Sequence, residues 1–280
     1  MDTTVFLSVL AAAVMHGSWN VLVKQDVDRF LLLVQIQTVM GVLGVALIAA
    51  FPWPTMASIP YVLASAGLHL GYNIFLLRSY RTGDLSQVYP IARGTAPLLT
   101  LVAAWIVTHE RPAFGGILGI GILVSGLWFI GFFGRRHLRL DSVTLLFALG
   151  TSGFIAAYSI VDGIGGRLSG SPSGYTGLLY LIDAMMLMSA ALVWRGRSIL
   201  GQMRATWSSG IMGGALSAGA YWIVIWAMSQ APIAAVAALR ETSILFVVLM
   251  SRQVLKEPIT LPRVIGAILI ALGAILIRFS

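Results

Sequence analysis

"GDLSQVYPIARGTAPLL" at residues 83–99 and "QAPIAAVAALRETSILF" at residues 230–246 are two versions of one segment. Slid against each other without a gap over 83–133 and 230–280, an offset of 147 residues, Arg93 meets Arg240, Thr95 meets Thr242 and Glu110 meets Glu257. Gly119 then meets Gly266, and Gly126 meets Gly273. The same offset carried backwards pairs "GLHLGYNIFLLRSY" with "GALSAGAYWIVIWA". Apolar matches arise by chance in apolar sequence. Arginine matched to arginine inside such a run is a stronger signal, because a guanidinium at the centre of a bilayer costs at least about 2.5–3.5 kcal/mol.

The surrounding composition establishes the bilayer. Hydrophobic residues make up 58% of the 280 positions and charged residues 10%, against about 25% charged in an ordinary soluble domain. That is too little charge to cover a water-facing surface. Apolar runs of about 20 residues, enough to cross ~30 Å of hydrocarbon, recur along the chain. The spacing predicts ten helices near 5–23, 30–51, 57–78, 85–108, 113–133, 142–162, 174–194, 208–229, 232–251 and 261–279. Breakers such as "FPWP", "TGD", "ERP", "GGRLSGSPSG", "QAP" and "KEP" separate them. The runs are continuous and do not alternate with period two, which favours helices over a barrel. "VFLSVLAAAVMHGSWNVLVK" has no basic start, is long for a leader's apolar core, and carries Trp19 and Asn20 where small residues would precede cleavage. There are no cysteines, so disulfides and thiolate metal sites are excluded.

Five helices per repeat is odd, so the second copy runs through the membrane upside down. The expected fold is an all-α integral membrane protein of ten transmembrane helices in two inverted five-helix repeats, residues 1–134 and 135–280. Inverted repeats of this kind are typical of secondary transporters, with the substrate site near the midplane where the repeats meet. A duplicated bundle with no transport activity is the plainer alternative. The net charge of +8 sits in short connections between spans. Those after the odd-numbered helices carry Lys24, Arg29, Arg78, Arg81, Arg135, Arg136, Arg139, Arg195, Arg197, Arg204, Arg252, Lys256 and Arg263, against Arg111, Arg167 and Arg278 on the other side. The positive-inside rule makes the richer side cytoplasmic and both termini non-cytoplasmic. It also accounts for the basic balance without nucleic acid as a partner.

"YRTGDLSQVYPIARGTAPLL" and "ALRETSILFVVL…LKEPIT", with the glycines along the fifth and tenth helices, resemble the EamA-type transporters of the drug/metabolite transporter superfamily. "HGSWNVLVK" at 16–24 is similar to the first helix of one bacterial branch, and the likeness covers nearly the whole chain. The resemblance implies a basket of ten helices in a bacterial inner membrane, its cavity lined mainly by helices one, three, four, six, eight and nine. It implies transport, with export of a small metabolite such as an amino acid ahead of uptake of a solute such as a phosphonate or flipping of a lipid-linked substrate. It fixes no substrate.

Helical spacing groups the polar residues by face. Helix one aligns His16, Asn20 and Lys24, with Trp19 beside them; helix three clusters His69, Tyr72 and Asn73, with Tyr80 further along; helix four aligns Ser86, Tyr89 and Arg93. Helix six offers Tyr158 and Asp162, helix seven Asp183, helix eight Tyr221, Trp222 and Trp226, and helix nine Arg240 and Glu241. In hydrocarbon each needs a partner or water and should face inward. At 1.5 Å per residue, Arg93 and Arg240 lie roughly 12 Å deep from opposite faces, either side of the midplane of a ~30 Å core. Such a pair suits a carboxylate, phosphate or phosphonate. The structural alternative pairs Arg240 with Glu241 or Asp183, and Arg93 with a tyrosine hydroxyl or with carbonyls freed near Pro90. Formal charges within the spans, Arg93 and Arg240 against Asp183 and Glu241, cancel, which fits a zwitterion or a small anion.

His16 and His69 are either proton-coupling groups or neutral hydrogen-bonding ones. Trp19, Tyr72, Tyr89, Tyr158, Tyr221 and Trp222 either box a cation or pack helices. Trp53, Trp128 and Trp207 read as interface anchors, Glu110 and Glu257 as caps or loop contacts, Pro90 and Pro97 as kinks in helix four, and the glycine faces as close helix contacts. There is no HExxH, Walker loop or filter motif, so no enzyme activity, cofactor, metal or direct ATP drive is expected. The expected partners are a small-molecule substrate and the lipid bilayer, with the protein a monomer or homodimer.

Overall fold

The computed structural model describes residues 1–25, 28–82, 85–133, 142–254 and 260–280, with side chains at 22–25, 29, 80–82, 85–90, 205–206 and 251–254 outside that description. Ten helices among the described residues are long and apolar enough to cross a membrane. They are formed by α1 (Thr3–Gln25), α2 (Arg29–Ala50), α3 (Ile59–Thr82), α4 (Leu85–Ala103), α5 (Phe114–Phe133), α6 (Ser142–Leu168), α7 (Pro172–Arg195), α9 (Trp207–Gln230), the pair α10 (Ile233–Arg240) and α11 (Ser243–Val254), and α12 (Leu261–Phe279). A short helix α8 (Ser198–Gln202) lies between α7 and α9. Large apolar side chains such as Val42, Val45, Trp105, Leu146 and Leu249 are exposed on the outer faces, where lipid takes the place of a protein core.

Eight spans close into a ring in the order α1, α9, α2, α7, α3, α6, α4, α10–α11 and back to α1. Every neighbour in this ring comes from the other repeat. The fifth and tenth spans, α5 and α12, pack on each other outside the ring, against α4 and α10. Their contact carries the pseudo-two-fold symmetry: a Cβ on Gly119 would lie 2.8 Å from the Gly273 carbonyl oxygen and one on Gly126 2.7 Å from that of Gly266. Gly119 and Gly266 are repeat equivalents, as are Gly126 and Gly273, so each equivalent touches the other's partner, as a two-fold requires. Only glycine permits this backbone approach.

Span ends follow local chemistry. Asp28 caps α2 by accepting from the Leu31 amide at 3.1 Å and pairs with Arg195 at the end of α7. Ser171 caps α7 ahead of Pro172, and Gly196 closes it with φ +68°. The fourth span ends in a π-helical turn over Ala104–Thr108, terminated by His109 at φ 55°. The Arg278 guanidinium reaches the Met1 carbonyl and Thr3, so the two termini meet at one face of the membrane.

Two expectations need correction. The ninth span is not one helix: it breaks at Glu241–Thr242, between α10 and α11. The fourth span runs as helix through both Pro90 and Pro97. Trp128 is not an exposed anchor, for it packs on Gly94, where a Cβ would come within 2.7 Å of its ring; Trp53 and Trp207 are exposed.

Candidate functional site

The break in the ninth span builds the centre of the molecule. On an unbroken helix, neighbouring residues point about 100° apart, and Arg240 and Glu241 would serve different surroundings. The turn lets both reach one place. Glu241 Oε2 accepts from Arg93 Nε at 2.7 Å, and Arg240 Nε lies 3.6 Å from Glu241 Oε1, too long for a hydrogen bond. Arg93, Arg240 and Glu241 are each at most 4% exposed. Arg240 ends the half-helix α10, where its charge also meets the negative end of the helix dipole. Two arginines therefore share one carboxylate, leaving one positive charge, and Arg240 Nε and Nη2 have no hydrogen-bond partner.

His16 completes this side. Arg93 Nη2 lies 2.9 Å from His16 Nε2. A guanidinium only donates, so that nitrogen accepts and the imidazole is neutral. Trp19 Nε1 approaches the other ring nitrogen at 3.3 Å, and a neutral imidazole cannot accept at both nitrogens. The weaker, longer contact with Trp19 is the one that yields.

Tyr158 stands between this cluster and a second one. The Arg240 guanidinium carbon lies 5.8 Å from the Tyr158 ring centre, and the His69 ring 4.4 Å from it on Tyr158's own cluster of aromatic neighbours, Tyr72 at 5.8 Å and Tyr221 at 6.1 Å. His69 Nδ1 is 3.2 Å from Asp183 Oδ2. Asp162, fully buried, accepts from the hydroxyls of Tyr175 at 2.9 Å and Tyr221 at 2.5 Å. Asn73 lines a small cavity with His69, Asp183 and Gln37.

The structure thus brings together His16, Arg93, Arg240 and Glu241 on one side and His69, Tyr72, Asn73, Tyr158, Asp183 and Tyr221 on the other. Trp222 points elsewhere, donating to Ser173 Oγ at 2.9 Å and packing on Phe51. Asn20 binds the His16 carbonyl of its own helix. Tyr89, with Tyr80, Ser86, Lys24 and Glu257, lies outside the described side chains. Of the two partners expected for Arg240, Glu241 is the one beside it, at 3.6 Å, and Asp183 stands with His69 instead. The charge count also changes. Asp162 lies well inside α6, which runs six residues past it to Leu168, so the deep charges among the described residues are two arginines against three carboxylates. Gln37 and Tyr175 are the residues the helical patterns missed, and Asp162, grouped with Tyr158 on helix six, lies deeper than its spacing showed. Among the described residues no group of three or more acidic or histidine side chains is arranged to hold a metal.

At the end where the termini meet, Glu110 is a cap, as expected. Its Oε2 accepts from the Ile233 amide, the first of α10, at 2.9 Å, and its Oε1 is 2.7 Å from Arg167. Arg167 also donates to the Met228 and Ala231 carbonyls at 2.9 Å.

Residues 3–132 and 142–279 both match the EamA-like transporter family. A curated relative, the "Uncharacterized transporter YwfM" of Bacillus subtilis (strain 168), is 23% identical over 136 residues, which span 49% of this chain and 45% of the relative. A solved crystal structure of a protein 16% identical superposes with a TM-score of 0.78 over 99% of this chain and 96% of the other, a likeness of fold.

Proposed function

The chain belongs to the EamA-like transporter family, and from that premise we propose that it is a secondary transporter of a small organic anion or zwitterion, such as an amino acid, bound at the arginine cluster. The observation that carries this reading is Arg240: a guanidinium 3% exposed with no hydrogen-bond partner at Nε or Nη2, beside Glu241, whose Oε2 is bonded to Arg93 and whose Oε1 stands 3.6 Å from Arg240 Nε. A buried charge with free donors is costly unless something pairs with it, and a carboxylate matches the guanidinium fork. A phosphonate presents similar oxygens and is the second choice of ligand.

Transport follows from alternating exposure of this midplane site. Because ring neighbours alternate between repeats, the moving units are not the two sequence halves. The packing suggests instead α3, α4 and α6 as one unit and α1, α9, α10 and α11 as its pseudo-symmetric counterpart. The proposed setting is a bacterial inner membrane with both termini non-cytoplasmic, on the asymmetry of basic connections, and the proposed direction is export.

The test is ligand-induced thermal stabilisation of the detergent-purified protein against amino acids, phosphonates, sugar phosphates, organic cations and lipid-linked sugars, with Arg240→Gln alongside. An anion or zwitterion that raises Tm in the wild type and not in the variant supports the site. Equal responses of both proteins to every anionic ligand would refute it.

A further inference from the structure

The second cluster has an unsatisfied group of its own. Asp183 is 7% exposed, Oδ2 faces His69 at 3.2 Å, and Oδ1 has no hydrogen-bond partner. It borders a cavity of about the size of one water molecule, lined also by Gln37 from α2 and by His69 and Asn73 from α3. Each of the two amides carries a carbonyl oxygen, and oxygen is the ligand that hard cations take. On the other side of His69 stand Asp162 from α6 and Tyr221 from α9, already bonded to each other.

The deep charges point the same way. With neutral histidines, Arg93 and Arg240 against Asp162, Asp183 and Glu241 leave one negative charge in excess. Asp162 has two hydroxyl donors and Glu241 has Arg93. Glu241 Oε1 is open too, but it stands 3.6 Å from the Arg240 cation, whereas among the described residues the one basic group facing Asp183 is His69, so the missing positive charge belongs at Asp183.

We propose that the Asp183 cavity is a binding site for one compact monovalent cation, held by Asp183 Oδ1 with Gln37 and Asn73. Its chemistry fits a free ion such as sodium or an ammonium group carried on the substrate. The inference extends the transporter reading: the first occupant makes the site a coupling-ion site, and the second makes it the amine end of a zwitterion whose acid end lies on Arg240. The cation site stands on its own atoms and does not require the arginine site.

The experiment follows Tm of the full-length purified protein at constant ionic strength in choline, potassium, sodium and methylammonium chloride. Wild type is run beside Asp183→Asn, which keeps the shape and removes the charge, and Asn73→Ala, which removes one wall amide. Sodium or methylammonium at tenfold its dissociation constant should raise Tm by about 3–5 °C over choline. That gain should vanish in Asp183→Asn and shrink in Asn73→Ala. A sodium-specific gain identifies a free-ion site, and a methylammonium-specific gain an amine pocket. No cation effect in the wild type, or the same effect in Asp183→Asn, overturns the proposal and leaves Asp183 neutralised by a proton. Arg240→Gln separates the two readings: it should keep the cation response whatever happens to its response to anions.

Discussion

Replacing Glu241 with glutamine and replacing Arg93 with glutamine remove the two halves of one ion pair, yet the structure predicts unequal costs. In Arg93→Gln, Glu241 keeps Arg240, whose Nε is already 3.6 Å from Oε1. At that separation, with an effective dielectric constant near 20, two unit charges attract by about 4–5 kcal/mol, so a small side-chain shift recovers much of the lost pairing. In Glu241→Gln, Arg240 loses its carboxylate and retains two donors with no partner. Removing one member of a buried pair costs about 3–5 kcal/mol, which for a chain of this size lowers Tm by on the order of 10 °C. Arg93→Gln should cost less than half of that. The double variant returns the cluster to one net positive charge and should be more stable than Glu241→Gln alone, a coupling of about 0.5–3 kcal/mol in a double-mutant cycle. The assay is unfolding of the four proteins in one detergent, without added ligand. If Arg93→Gln is as damaging as Glu241→Gln, or the double variant falls to the sum of the singles, the shared-carboxylate description is wrong.

Two further outcomes test other parts of the structure. Gly126→Ala would place a methyl 2.7 Å from the Gly266 carbonyl oxygen and 3.0 Å from the Ile270 amide nitrogen, whereas a Cβ on Gly121 meets nothing within 4 Å. Thermal unfolding should show Gly126→Ala destabilised by about 1–3 kcal/mol, and Gly121→Ala unchanged or stabilised by up to about 1 kcal/mol. At the start of α2, hydrogen bonds from Arg195 hold the Asp28 carboxyl below the usual carboxylate range. A depressed carboxylate contributes stability above its unfolded pKa, near 4, and loses it as pH falls through the lower folded value. Asp28→Asn should therefore flatten the acid limb of Tm against pH below about pH 4, by a small amount because both partners are partly exposed.

The spans were legible because lipid leaves little choice: a run of about 20 apolar residues must satisfy its own backbone, and the helix is how one segment does so. The interior was legible only in part. Helical spacing shows that His69, Tyr72 and Asn73 share a face but not which helix that face meets, so the ring that alternates between repeats was beyond it. The break in the ninth span carried no signal of its own. Pro90 and Pro97 lie in an unbroken helix, while the break falls in "ALRETSILF", which has neither proline nor glycine. The turn at Glu241 is fixed by tertiary contact, with the carboxylate bonded to Arg93 from the opposite repeat. Asp162 was readable as a neighbour of Tyr158 at i, i+4. Its depth was not, because the glycines that follow it looked like a loop and continue as helix.

The repeats agree at the arginine and disagree one residue later: "RGT" at 93–95 faces "RET" at 240–242. Packing accounts for half of the difference. Gly94 lies under Trp128, close enough that a Cβ would meet Cδ1 at 2.7 Å and Leu127 Cβ at 3.2 Å. The repeat equivalent of Trp128 is Ile275, half exposed on the outer face of α12, so position 241 has no such ring above it. Charge accounts for the other half. A glutamate at both positions would give two arginines two carboxylates and a neutral, closed network with nothing to offer an anion. One glutamate leaves Arg240 with open donors and the cluster with one positive charge. A duplicated backbone supplies two arginines by symmetry, and it is the departure from symmetry at Gly94 and Glu241 that turns a structural ion pair into a place for a ligand.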